Sequence, residues 1–296
     1  MKILAAVNST DDAYNALRSA CRLARRIGYS VVAFYVDRAE LYTEEFTRWP
    51  TVKRRIETEH DILAKEVIKK SYNIGRELGA AIEVVMSNGD PAREIVDYAY
   101  ENGVVKLITM GHGVLGGAAE NIVESVVKTV ISELNKPVLV ISNEREIKSI
   151  LVIIETNYDI RGGNAVVRYV GTLARSLGAR VGLVCLIPDL LAIAVDYGHI
   201  GEVPYIRERR SFRRFERLYK EKTQIIISEF RQHLAGMNVE VEADVKETDD
   251  VGEVIAQAHE YDLIAIWPKQ KGNQGSFTEA SKNLLNCHWL NTLFVQ

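Results

Sequence analysis

With 296 residues, 47% of them hydrophobic and 26% charged, the chain is long enough for two ordinary globular domains, each with its own core. A formal net charge of -3 excludes the basic field of a general nucleic-acid binder, and no apolar run reaches the roughly 20 residues of a membrane span. Three scattered cysteines, Cys21, Cys185 and Cys287, lack metal-site spacing and suit the reduced thiols of a cytoplasmic protein.

The first predicted element is an apolar strand over 2–7, ending in polar Asn8-Ser9-Thr10. Its apolar run is too short for the core of a signal peptide. Asp11-Asp12 then sit where acids complement a helix N-terminus, and Leu23-Ala24-Arg25-Arg26-Ile27-Gly28 closes that helix on a glycine. Further strands are predicted over 30–37, 81–87, 105–110 and 137–142, separated by helical stretches. An aromatic-rich segment, 41–50, follows the second strand and is a candidate wall of a cleft.

After the polar join Asn143-Glu144-Arg145-Glu146 the pattern starts again. Strands are predicted over 149–155, 180–187, 238–245, 262–267 and 292–295. Leu173-Ala174-Arg175-Ser176-Leu177-Gly178 repeats the first helix end, Val251-Gly252-Glu253-Val254-Ile255 repeats Ala92-Arg93-Glu94-Ile95-Val96, and Leu263-Ile264-Ala265-Ile266 repeats Leu107-Ile108-Thr109-Met110. Matches in the same order imply an internal duplication. Near-continuous Val/Ile/Leu strands alternating with helices imply parallel sheets covered on both faces. The expectation is two α/β domains, 1–143 and 148–296, each with its own five-stranded parallel sheet, packed together because the join is short.

Met110-Gly111-His112-Gly113, then Ser125-Val126 and Asn135-Lys136-Pro137-Val138-Leu139-Val140-Ile141, resemble the C-terminal signature of the universal stress protein family. Gly89-Asp90-Pro91-Ala92-Arg93-Glu94 adds to the resemblance, which spans 1–142 and extends more weakly over 149–296. It implies Rossmann-like domains of the adenine nucleotide alpha hydrolase type, with strand order 3-2-1-4-5. It implies fifth strands side by side in an intramolecular pseudo-dimer, a further homodimer contact, and ATP as the ligand. The ligand positions carried over are Asn8, Val36, Gly111, Gly113, Glu124, Ser125 and Val126.

The family pattern is broken in three places. Gly111 and Gly113 stand one residue too close, Asn8 replaces an Asp, and Glu124 replaces a glycine. A carboxylate about 4 Å from a phosphate costs roughly 1 kcal/mol in water and about 4 kcal/mol at an effective dielectric of 20. In the second half Trp267-Pro268-Lys269 stands in place of the first glycine loop, and Gly272-Asn273-Gln274-Gly275 leads to Glu279-Ala280 instead of Gly-Ser. That half reads as a degenerate repeat kept for packing.

No hydrolase, zinc-protease, P-loop or dinucleotide motif occurs. His112 reads as a surface or supporting residue, since no nucleophile or carboxylate motif accompanies it. The stretch 207–222, RERRSFRRFERLYKEK, places Phe212, Phe215 and Tyr219 at helical spacing opposite a basic face. That face reads as a solvated one with internal i,i+4 pairs or, functionally, as a dock for an acidic protein partner, an anionic ligand or nucleic acid. The apolar start of the insertion 190–205 is a candidate pocket cover or interface. Two functions follow: a regulatory protein of the stress response that binds a small ligand, with weak nucleotide binding in the first domain and no catalytic residue; or an ATP-binding protein that uses Mg²⁺ for slow hydrolysis or phosphotransfer. Neither needs a membrane or a nucleic acid.

Overall fold

The computed structural model describes residues 1–39, 48–112, 118–155, 160–186, 210–242, 246–248, 251–266, 279–287 and 289–295. In chain order the first half contains β1 (Lys2–Val7), α1 (Asp11–Ile27), β2 (Ser30–Asp37), α2 (Pro50–Glu77), β3 (Ile82–Asn88), α3 (Pro91–Glu101), β4 (Val105–Gly111), α4 (Ala118–Glu133) and β5 (Val138–Ile141). The second contains β6 (Ser149–Glu155), α5 (Ile160–Leu177), β7 (Arg180–Leu186), α6 (Arg210–Gly236), β8 (Lys246–Thr248), α7 (Val251–Ala258), β9 (Leu263–Ile266), α8 (Glu279–Leu285) and β10 (Thr292–Phe294).

Strand order is β3-β2-β1-β4-β5-β10-β9-β6-β7-β8, which reads the same from either end and gives each half the order 3-2-1-4-5. Within each half the pairings are parallel; at the centre β10 runs antiparallel to β5, pairing Thr292 with Val140 and Phe294 with Val138. The fifth strands are therefore neighbours, but the expectation of two separate sheets is corrected: all ten strands form one. The reason lies in β5 and β10, whose described residues are buried along their whole length. Left unpaired, each would expose a row of backbone donors and acceptors on an apolar edge.

One face of this sheet carries a core that runs through both halves, from Ile3, Leu17 and Tyr35 to Ile150, Val170 and Phe230. The other joins Leu4, Ile108 and Val130 to Leu151, Ile264 and Phe294. Burial on both faces explains why the inner strands read as continuous apolar runs.

Local signals behave as their chemistry requires. Thr10 caps α1, its hydroxyl accepting from the Ala13 N–H at 3.3 Å, with Asp11 and Asp12 in the first turn. Gly28 and Gly178 end their helices at φ 74° and 67°. Asp90 caps α3, accepting from the Arg93 N–H at 3.1 Å, with Pro91 as the first helical residue.

Two expectations shift. Of the strand predicted over 238–245, the described residues 238–242 contribute one bridge, Val241 to Val181, and a paired segment follows at 246–248. The basic helix is longer than 207–222, running Arg210–Gly236 with Arg213 and Arg217 exposed. Phe212, Phe215 and Tyr219, and the segments 41–47 and 190–205, fall outside the described side chains and residues.

Candidate functional site

Strand β1 pairs with β2 on one side and β4 on the other, so the chain changes direction across the sheet at their carboxyl ends. Open α/β sheets place ligands at such a crevice. Here the crevice is a cavity of 140 Å³. Asn8, Val36, Gly111 and Val126 all line it. Four of the seven carried-over residues thus converge on one hollow.

Gly111 closes the end of β4 against the first turn of α1. A Cβ on it would lie 2.6 Å from the Asp12 carbonyl carbon and 2.8 Å from the Ala13 nitrogen, so only glycine lets strand and helix meet this closely. The packing of β4 on α1 therefore demands this glycine whether or not a phosphate approaches. The Asn8 Oδ1 accepts from the Thr10 N–H at 2.8 Å and from the Thr10 hydroxyl at 2.6 Å. This Asx-type turn directs the Asn8 oxygen toward its own loop.

The remaining three residues are placed differently. Gly113 lies outside the described residues. Glu124, Ser125 and Val126 are the seventh to ninth residues of α4, and Ser125 is exposed. Only the first four N–H groups of a helix lack an intrahelical partner. The backbone at 124–126 is thus committed within the helix. Over 118–124 Ala118, Ala119, Glu120 and Glu124 are good helix formers and no glycine interrupts them, which suits a helix that starts at Ala118.

Sequence reasoning missed Arg38 and Phe34, which also line the cavity. Phe34, Val36 and Arg38 alternate along and just beyond β2, so the period of a strand was the available signal. Arg38 is the one charged side chain among the described lining residues. The neighbouring Asp37 points elsewhere: its carboxylate accepts from the Ala39 N–H at 2.9 Å and from the Nδ1 of His60 in α2 at 2.7 Å.

His112 is 6% exposed, correcting its surface reading. Its Nε2 lies 2.7 Å from the Leu285 carbonyl, 173 residues away, and its backbone N–H donates to Ile141 at 3.0 Å. A carbonyl can only accept, so Nε2 carries the proton. The histidine ties β4 to the end of α8 across the central seam. Burial pushes the Cys21 thiol up to about 11 and also raises that of Cys287. Among the described residues no cluster of His, Cys, Asp or Glu could hold a metal ion, and no helix is long and apolar enough to cross a membrane.

Comparison with known proteins gives a consistent result. The model of the Universal stress protein family matches residues 1–142. Universal stress protein YxiE of Bacillus subtilis is 30% identical over 145 residues, covering 47% of this chain and 97% of the relative. A universal stress protein of Methanocaldococcus jannaschii is 27% identical over 147 residues, covering 49% and 84%. The crystal structure of a universal stress protein from Archaeoglobus fulgidus covers 100% of this chain and 96% of its own at a TM-score of 0.61 and 13% identity, a likeness of fold alone.

Proposed function

The chain belongs to the universal stress protein family, and from that premise we propose that it is a cytoplasmic regulatory protein of the stress response that senses a small ligand in the first-half cleft and is not a dedicated enzyme. Residues 1–143 and 148–296 act as two domains, a tandem pair joined as an intramolecular pseudo-dimer through β5 and β10, with the second kept for packing. The ligand is an adenine nucleotide or nucleoside, held chiefly by its base.

The observation that carries this reading is the character of the cavity. It is mostly apolar, bounded by Phe34, Val36, Ile95, Met110 and Val126. Its 140 Å³ is well below the roughly 300–1,000 Å³ of pockets that enclose a whole small molecule. It suits one flat end of a ligand. The helical backbone of α4 at 124–126 supports the same view, because it withdraws the N–H groups on which a phosphate cradle would rest.

Isothermal titration of the whole chain with adenosine, AMP and ATP, with and without Mg²⁺, tests the proposal. If the base supplies most of the binding, adenosine and ATP should bind within about tenfold of one another. ATP binding more than about a hundredfold tighter, and only with Mg²⁺, would overturn it in favour of nucleotide hydrolysis or phosphotransfer.

A further inference from the structure

A second hollow shares no lining residue with the cleft. The polar join packs along α1 and, with the end of α5, encloses a groove of 630 Å³, within the range of small-molecule sites. Leu23, Ile147 and Leu177 supply its apolar surface. Its charged lining is Arg22, Arg25, Arg26 and Arg145 against Glu144 and Glu146, an excess of two positive charges.

The carboxylates are already taken. Glu144 accepts from Arg18 at 2.9 Å and Arg22 at 3.3 Å, and Glu146 pairs with Arg26 at 3.1 Å and Lys148 at 3.3 Å. Among the described residues no carboxylate pairs with Arg25 or Arg145. Arg25 spends one donor on the Leu78 carbonyl at 2.8 Å, and a guanidinium has five.

The duplicated helix keeps the arginine of Arg25, as Arg175, and shows that only the two paired arginines, Arg22 and Arg26, are not a packing requirement. The matched runs Leu23-Ala24-Arg25-Arg26 and Leu173-Ala174-Arg175-Ser176 place Thr172 and Ser176 where α1 has Arg22 and Arg26. In α5 those hydroxyls return to their own helix, Thr172 to the Arg168 carbonyl at 2.8 Å and Ser176 to the Thr172 carbonyl at 2.9 Å. The same helix in the same fold thus does without the two arginines.

We propose that this groove binds a small organic dianion of the phosphomonoester class, with Arg25 and Arg145 holding the anionic oxygens and the Leu23, Ile147 and Leu177 side chains covering an apolar body. Guanidinium forks match phosphate oxygens geometrically, and two of them balance two charges. The apolar surface separates this ligand from a bare inorganic ion.

Phenyl phosphate is the probe, titrated calorimetrically into the whole chain at low ionic strength, with inorganic phosphate alongside. Phenyl phosphate should bind one to one and more tightly than inorganic phosphate. The double variant Arg25→Gln/Arg145→Gln should weaken it by about tenfold or more while the melting temperature and adenosine titration stay unchanged. Equal affinity for phenyl phosphate and inorganic phosphate would overturn the proposal, as would indifference to the double variant. Displacement of phenyl phosphate by adenosine would place the probe in the cleft and also overturn it.

Discussion

The two halves of the sheet agree at the centre and differ toward the rim. β1 pairs with β2 over six residues and β6 with β7 over seven, and both central strands continue onto the fourth strand of their half. At the outer edge β2 pairs with β3 over seven residues, whereas among the described residues β7 pairs with β8 over three. An inner strand buried on both faces has its register fixed by every side chain. An edge strand is held from one side only, so the two halves can differ there without losing the sheet.

That comparison breaks most severely if the seam fails. Phe294 is fully buried in β10 and belongs to the core that spans both halves. Phe294→Ala should cost about 3–5 kcal/mol, the usual range for a large buried side chain, measured by denaturant unfolding. Loss confined to the second half, with the first half unfolding at its original midpoint, would contradict a core shared across the seam.

The second effect is smaller and tests equivalent positions directly. Ile3 pairs with Val31 and Leu107, and Ile150 with Val181 and Leu263, so Val32 corresponds to Gly182 and Val105 to Tyr261. In the second half the Tyr261 phenol fills the space that a side chain at 182 would need, since a Cβ on Gly182 would lie 2.6 Å from the Tyr261 Cζ. The Tyr261 hydroxyl donates to Glu242, which also pairs with Arg180 at 2.5 Å. Gly182→Val should therefore destabilise by about 1–3 kcal/mol through overpacking. Adding Tyr261→Val rebuilds the first-half pair and should recover part of that loss. A double variant no more stable than the sum of the single effects would show that the two positions do not exchange volume.

A third test asks whether the two halves are equal where their geometry is equal. Gly28 and Gly178 both adopt left-handed backbone, and neither has a neighbouring atom within 4 Å of the place a methyl group would take. Only backbone strain opposes a side chain. Gly28→Ala and Gly178→Ala should each cost about 1–2 kcal/mol and match within experimental error. A clear inequality in unfolding midpoints would mean that one helix end is under a constraint the other lacks.

How much of this was legible follows the same division. The inner strands announce themselves as apolar runs, and the helix ends as glycines after Ile27 and Leu177, because burial and positive φ leave little choice of residue. The seam was legible only through resemblance, since nothing in the local pattern of Thr292–Phe294 says which edge it meets. In the cleft, the family resemblance carried over Gly111 and Val126 but could not distinguish a phosphate cradle from a tight strand–helix contact. Helix propensity over 118–124 was the counter-signal. His112 escaped because its partner, the Leu285 carbonyl, is a main-chain atom without a sequence signature.

The smallest expected effect concerns the two long helices that follow the second strand of each half. Helix α2 balances its exposed charges in i,i+4 pairs, Lys53 with Glu57, Arg55 with Glu59 and Lys65 with Asp61. In the first half of α6 Arg217 pairs with Glu221 at 2.8 Å, while Arg213 and Arg214 are also exposed. Exposed Leu218 and Ile225 lie on the same stretch. An i,i+4 pair on a solvated helix contributes about 0.3–0.5 kcal/mol, and other surface arginines less. Arg213→Gln with Arg217→Gln should then change stability by no more than about 0.5 kcal/mol in thermal or denaturant unfolding. The matching change in α2, Arg55→Gln, should be equally mild, so the contrast between the helices is one of charge rather than of folding. A loss above about 1 kcal/mol in α6 alone would show that those arginines pack against the body of the protein and are not free for a partner. Unchanged stability together with lost retention on an immobilised acidic peptide would instead assign the basic face to recognition.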